Sequence, residues 1–276
     1  MNGHAAQFSR FIIGCVRGNC GGILYPLPTA PRLSRAIFCL LLTSPWLRAG
    51  PDERAVSASV PSYEVRRASG NITIDGRIDE AAWQDATPLT LQFPWDAQTG
   101  AKQKTTARLL WDNDYLYVCF DCKDTDITAH HEHRDEPTYE DDAVEIFINP
   151  RPTLDVYVGL EMNAKGTLCD FVYVFPHMLL KNFDLQGVKI ATHLDGSLNG
   201  GAGQAEGWQL ELAIPLKNFD DFTRGALIEN GTIWTFNLSR WDGTEPHRRL
   251  SVWSDSGMAQ PDPHNPKRFG RLVFVK

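Results

Sequence analysis

Tyr139-Glu-Asp-Asp-Ala-Val-Glu-Ile-Phe-Ile-Asn-Pro150 changes character halfway along. Its second half alternates. Val144, Ile146 and Ile148 point one way and Ala143, Glu145 and Phe147 the other, the two-residue period of a strand with one face in a core. Pro150 has no N–H to give to a ladder and ends the run. The first half crowds three carboxylates and an aromatic ring onto the strand's entry. Such a run repels itself, so it points to a cation, a polar ligand or nearby arginines.

The flanking chain repeats the strand pattern. Residues 105–111 and 115–122 form the clearest hairpin, joined by Asp112-Asn-Asp114, residue types that tolerate turn conformations. Both faces of 115–122 are largely apolar, which marks a central strand. Residues 156–163 place Val156, Val158, Leu160 and Met162 on one face and Tyr157, Gly159, Glu161 and Asn163 on the other. The chain turns at Ala164-Lys-Gly166 and returns over 167–175. Further strands are expected at 63–67, 71–76, 88–93, 190–194, 207–215, 234–240 and 269–275. Asp79 is expected to cap a short helix whose Trp83 plugs the end of the core. No long stretch shows helical periodicity. The expected fold is all-β: a two-sheet antiparallel β-sandwich, jelly-roll or immunoglobulin-like, with few short helices.

The chain has 276 residues and a net charge of −7. Residues 1–58 are different in kind, with six arginines and two acids, which leaves the remainder at −11. An acidic body argues against nucleic acid and anionic membrane as partners. Arg32 and Arg35 precede the apolar run 36–42, the layout of a secretory signal, and the run is too short to span a bilayer as a helix. The expected organisation is a leader and linker over 1–58 and one domain over 59–276, secreted or held in the cell envelope. Cys119 and Cys122 face opposite sides of one strand and cannot chelate together. A disulfide from Cys169 to one of them is open in an oxidising compartment.

Several residues are candidates for a site. Glu145, Glu161 and Asn163 share a face if their strands pair in register, and supply acceptors for hydroxyl donors. Arg240 and Trp241 stand at a strand end where they would complete a pocket. The competing reading is a structural network. Asp124, Asp126, Glu140 and Asp141 have the oxygen chemistry of a calcium site. Glu145 with Glu161 also has the composition of a glycosidase pair. No nucleophile elbow, P-loop or dinucleotide fingerprint is present.

Six ordered blocks resemble the carbohydrate-binding module family 9-like domains, which are related to DOMON-type domains. They are Ile74-Asp-Gly-Arg-Ile-Asp-Glu-Ala-Ala-Trp83, Leu110-Trp-Asp-Asn-Asp-Tyr-Leu-Tyr117, Glu140-Asp-Asp-Ala-Val-Glu-Ile-Phe147, Glu161-Met-Asn163, Trp208-x-x-Glu211 and Arg268-Phe-Gly-Arg-Leu272. The resemblance implies a β-sandwich that binds a glycan or terminal sugar non-catalytically. Such modules are often appended to secreted enzymes of carbohydrate catabolism; they require no cofactor and sometimes carry calcium. In sugar-binding members two tryptophans sandwich the sugar. Tyr139 stands at the first position, and a tyrosine also stacks on a pyranose face. The second position falls in Gln260-Pro-Asp-Pro-His-Asn-Pro266, which has no tryptophan. Another branch carries a histidine there, which His264 matches. Two alternatives remain: a haem b electron-transfer module with ligands among Met162, Met178, His177 and His193, and a protein-docking module.

Overall fold

The computed structural model describes residues 59–276 apart from His177, Ala202 and Gly203. The leader expected over 1–58 lies outside the described residues.

Among the described residues thirteen strands follow in order: β1 Ser62–Arg67, β2 Leu89–Thr90, β3 Thr105–Trp111, β4 Tyr115–Lys123, β5 Ala143–Asn149, β6 Val156–Asn163, β7 Leu168–Val174, β8 Met178–Leu180, β9 Lys189–Asp195, β10 Gly207–Pro215, β11 Ile233–Asp242, β12 Arg249–Val252 and β13 Gly270–Val275. The expected two sheets are instead one hydrogen-bonded path, β8-β7-β6-β5-β11-β13-β1-β3-β4-β10-β9. The path curls, so that β5, β6 and β11 share an interior with β3, β4 and β10. Val144, Ile146, Leu160, Met162 and Leu238 pack in one cluster with Leu109, Val118, Phe120, Leu210 and Leu212. The fold is therefore sandwich-like. The join is β1, which runs parallel to both β13 and β3 but pairs with β3 only through Arg66 and Arg67.

The alternation read from the sequence sets the interior. Cys122 faces the main core and Cys119 the outer cluster, as their spacing requires. Where the reading fails, a second layer covers the sheet. β5 was expected to show one face to a core, yet all seven residues are buried. Its outer face carries Phe147, packed with Tyr157, Phe171 and Phe269 under the C-terminal segment. Residues 71–76 are not a strand but an irregular strap, its Ile72 and Ile74 packed on the outer face of β4 and β10. Trp83 belongs to that outer cluster, not to the end of the main core. The short helix is a 3-10 turn, Ala81–Asp85, preceded by Glu80, not capped by Asp79. β8 and β12, too short to show a period, were missed. All three described cysteines are free thiols, so the disulfide does not form.

Two family blocks meet in this outer layer. Glu211 on β10 accepts the Trp83 indole N–H at 3.0 Å and the backbone N–H groups of Asp75 and Gly76 at 3.1 and 3.0 Å. Gly76 has φ +92°, and a Cβ there would lie 2.5 Å from the Thr192 carbonyl carbon, so only glycine fits the turn.

Candidate functional site

The outer face of β5, β6 and β7 carries a cavity of about 430 Å³. β5 and β6 pair with Glu145 directly opposite Glu161, which puts both carboxyls into its floor. β7 adds Cys169, Phe171 and Tyr173, and β11 adds Trp241. Phe171 fits because Gly159 stands opposite it: a Cβ at Gly159 would lie 2.4 Å from the ring. Tyr139, in the 3-10 turn Thr138–Glu140, lines the cavity and is 41% exposed. Gln260, Pro261, Asp262, Pro263 and His264 close the remaining side.

Five of the seven expected ligand residues therefore converge: Tyr139, Glu145, Glu161, Trp241 and His264. Asn163 and Arg240 lie elsewhere. Asn163 spends its amide on structure: its N–H groups reach the His131 carbonyl and Asp141, and its oxygen accepts from Lys165 and Thr167. Arg240 follows the parity of β11. Ser239 and Trp241 turn to the cavity side, and Arg240, between them, turns inward to Thr105, the Lys123 carbonyl, Asp124 and Asp242. The register of β11 on β5 pairs Ser239 with Glu145 and makes this unavoidable.

The proposed calcium ligands do not come together either. Asp124 lies near Asp142 and Asp242. Asp126 and Glu140 are exposed, and Asp141 accepts the N–H groups of His130 and His131 at 2.9 and 3.0 Å. Every carboxylate oxygen of the Asp124–Asp142–Asp242 cluster already accepts a hydrogen bond, from Arg240, Arg249, Gln103, Thr128, Gly243 or Asp126. This donor set is filled by guanidinium and amide groups and does not fit a calcium site. Burial, then the neighbouring Asp124 charge, pushes Asp142 up to about 7.

Residues 74–276 match the carbohydrate family 9 binding domain-like family. The chain belongs to that family. Among solved structures, a Bacteroides uniformis protein is similar with TM-score 0.65 and 19% identity, over 78% of this chain and all of that one. A family 9 module from Caldicellulosiruptor kristjanssonii, solved with cellotriose, is similar with TM-score 0.55 and 17% identity, over 77% of this chain and 93% of that one. Among curated proteins, an endo-1,4-beta-xylanase C of Paenibacillus barcinonensis is 35% identical over 224 residues, 75% of this chain and 17% of that protein. Exoglucanase XynX of Acetivibrio thermocellus is 28% identical over 220 residues, 79% of this chain and 18% of that protein. The chain thus spans under a fifth of the length of these enzymes.

In this family 9 domain the cavity floor holds two buried carboxyls. Glu145 is 1% exposed and Glu161 4%. Burial pushes Glu145 up to about 7, against a hydrogen bond from the Ser239 hydroxyl. Burial, then the Glu145 charge, holds Glu161 well above the ordinary carboxylate range. Among the described residues, no hydrogen bond reaches the Glu161 carboxylate. The His264 ring bonds the Tyr157 hydroxyl at 2.6 Å through Nδ1 and stacks on Tyr173 at 5.3 Å; burial lowers its pKa, so it stands neutral.

Sequence reasoning missed Arg248, Lys181, Phe171, Tyr173 and Asp262. Arg248 lies 4.7 Å over the Trp241 ring and donates to the carbonyls of Tyr139 and Asp141, tying the two aromatic walls together. The parity of β7 was a usable signal for Phe171 and Tyr173, since they share a face with Cys169, the partner of Glu161. Arg248 and Lys181 sit in connections with no period to read. Of the candidate haem ligands, Met162 is packed in the main core, Met178 is exposed on β8 and His193 lies on β9; His177 lies outside the described residues.

Proposed function

We propose that this family 9 domain binds a carbohydrate non-catalytically, holding one terminal sugar unit in the cavity beneath Tyr139. The observation that carries this is the convergence of aromatic side chains and inward carboxyls on one cavity, from five separate parts of the chain. A sugar presents C–H faces to rings and hydroxyl edges to acceptors, and this lining offers both. Tyr139 and Trp241 are the aromatic faces nearest the rim. Glu145, Glu161, Asp262 and Gln260 supply acceptors for hydroxyl protons. His264 lines the same cavity and comes from the segment that lacks the family's second tryptophan.

The facing halves of the curled path play the part of the two sheets of a jelly-roll-like sandwich, with the cavity on the outer face of one. The reading calls for no cofactor, and calcium would have to compete with Arg240 for Asp124. The similarity to a small part of longer xylan- and glucan-degrading enzymes supports a role as a targeting module in carbohydrate catabolism, working outside the cell. Among the described residues no helix is long and apolar enough to cross a membrane.

Calorimetry against glucose, xylose, cellotriose and xylotriose tests the reading. Binding of at least one sugar, weakened about tenfold or more in Tyr139→Ala, is the expected result. Absence of heat with every sugar, or unchanged affinity in Tyr139→Ala, contradicts it.

A further inference from the structure

The cavity floor has more negative charge than its surroundings neutralise. Glu145 from β5 and Glu161 from β6 are direct cross-strand partners, so their Cβ atoms stand roughly 5 Å apart. Asp262 adds a third carboxylate from the C-terminal segment. Like charges opposite one another on a sheet repel, and burial strengthens that repulsion. The groups facing them offer little relief. Cys169 on β7 is a thiol whose pKa burial raises to about 12, and His264 is neutral. Tyr157 and Tyr173 are phenols that burial also keeps protonated. Two cations remain. Arg248 spends donors on the carbonyls of Tyr139 and Asp141. Lys181, the one lining ammonium among the described residues, is an exposed side chain and forms no ion pair within 4.0 Å.

A buried carboxylate is retained where it has a partner, and Glu161 has none within hydrogen-bond reach among the described residues. The partner that fits is a guest with both a sugar's faces and a positive charge. We infer that the cavity prefers a sugar unit bearing a free amine, a 2-amino-2-deoxyhexose in its ammonium form, with the ammonium seated between Glu145 and Glu161. This inference rests on the reading of the cavity as a sugar site. The rings of Tyr139, Trp241 and Tyr173 around the floor also favour a cation over a neutral group. In the empty cavity the two carboxyls hold a proton that the ammonium replaces. Binding of the amino sugar near pH 7 therefore releases a proton to the buffer, while binding of a neutral sugar leaves the carboxyl proton in place.

Calorimetry on the full chain, with D-glucosamine, D-glucose and N-acetyl-D-glucosamine as probes near pH 7, separates the possibilities. The expected result is glucosamine bound about tenfold more tightly than glucose. N-acetylglucosamine should gain nothing over glucose. The heat with glucosamine alone should change between buffers of different ionisation enthalpy. In Glu161→Gln the glucosamine-to-glucose affinity ratio should fall to about one. Equal affinities in the unaltered protein, a preference shared by the N-acetyl sugar, or a ratio unmoved in Glu161→Gln would each overturn the amine preference while leaving the sugar site standing. Failure of all three sugars to bind would remove the sugar site itself and this inference with it. Should Glu161→Gln not fold, the unaltered protein's affinity ratio and its buffer dependence decide the matter alone.

Discussion

Two buried acidic clusters stand on opposite faces of the paired strands β5 and β11, and they are built to different rules. Inward of β11, Asp124, Asp142 and Asp242 are close enough to share one ion, but Arg240 and Arg249 hold that position. All six of their carboxylate oxygens accept hydrogen bonds. On the cavity side, Glu145 has the Ser239 hydroxyl and Glu161 has no such partner among the described residues. The inner cluster ties β11 to β3 and β4 and closes the curled path. The outer one spends stability to keep acceptors facing a cavity. Net charge and acid count do not separate a strut from a binding site here; the inventory of donors does.

The largest expected effect is on the strut. Arg240→Met leaves Asp124 with no guanidinium and Asp242 with only that of Arg249, and should cost about 3–5 kcal/mol in denaturant unfolding. A loss under about 1 kcal/mol would erase the contrast between the clusters.

The same kind of neutralisation on the cavity side should act in the opposite sense. Glu161→Gln removes a charge that burial and Glu145 already disfavour, so the fold should gain roughly 0.5–2 kcal/mol at pH 8 while sugar affinity falls. The pH dependence follows from the same groups. Burial raises Glu145 and Glu211 to about 7 in the folded protein, against 4.5 for the free side chain, and burial with the Glu145 charge holds Glu161 well above that free value too. Between those values the folded state binds more protons than the unfolded one. Their contribution is therefore fully present below about pH 4.5 and is lost as pH rises through 7. Unfolding free energy should fall between pH 5 and 8, and fall less steeply in Glu161→Gln. A steeper slope in the variant would contradict the pairing of Glu145 with Glu161.

Smaller effects sharpen the contrast. Tyr139→Ala removes a half-exposed ring and should cost about 1.4 kcal/mol or more of sugar binding, with under about 0.5 kcal/mol of stability. Calcium and chelator, read by thermal melting, should move the unfolding midpoint by less than about 1 °C, since the oxygens of the inner cluster are occupied. A calcium-dependent rise of several degrees would show that the metal displaces Arg240.

Much of the sandwich was readable in the sequence. The strands around Val118, Ile146 and Leu160 alternate cleanly, and strand parity put Glu145 and Glu161 on one face on the condition of in-register pairing, which β5 and β6 meet. The misreadings share a cause, which is a second layer that strand periodicity does not encode. Phe147 looks solvent-facing until Phe269 and His264 arrive from a segment more than a hundred residues later. Arg240 looks like a ligand residue beside Trp241, and only the register of β11 on β5 shows that the two point apart. Asn163 shares a face with Glu161, yet the Ala164–Thr167 turn claims its amide oxygen.

The account turns on the cavity beneath Tyr139 being where sugar binds. A proton–nitrogen correlation titration with cellotriose and with glucosamine tests it most directly. The Trp241 indole signal and the backbone amides of Glu161, Cys169 and Tyr173 should shift together and saturate together, while the indoles of Trp83 and Trp208 stay still. Shifts that cluster around Trp111 and Trp234, or a saturating sugar that leaves Trp241 unmoved, would contradict it.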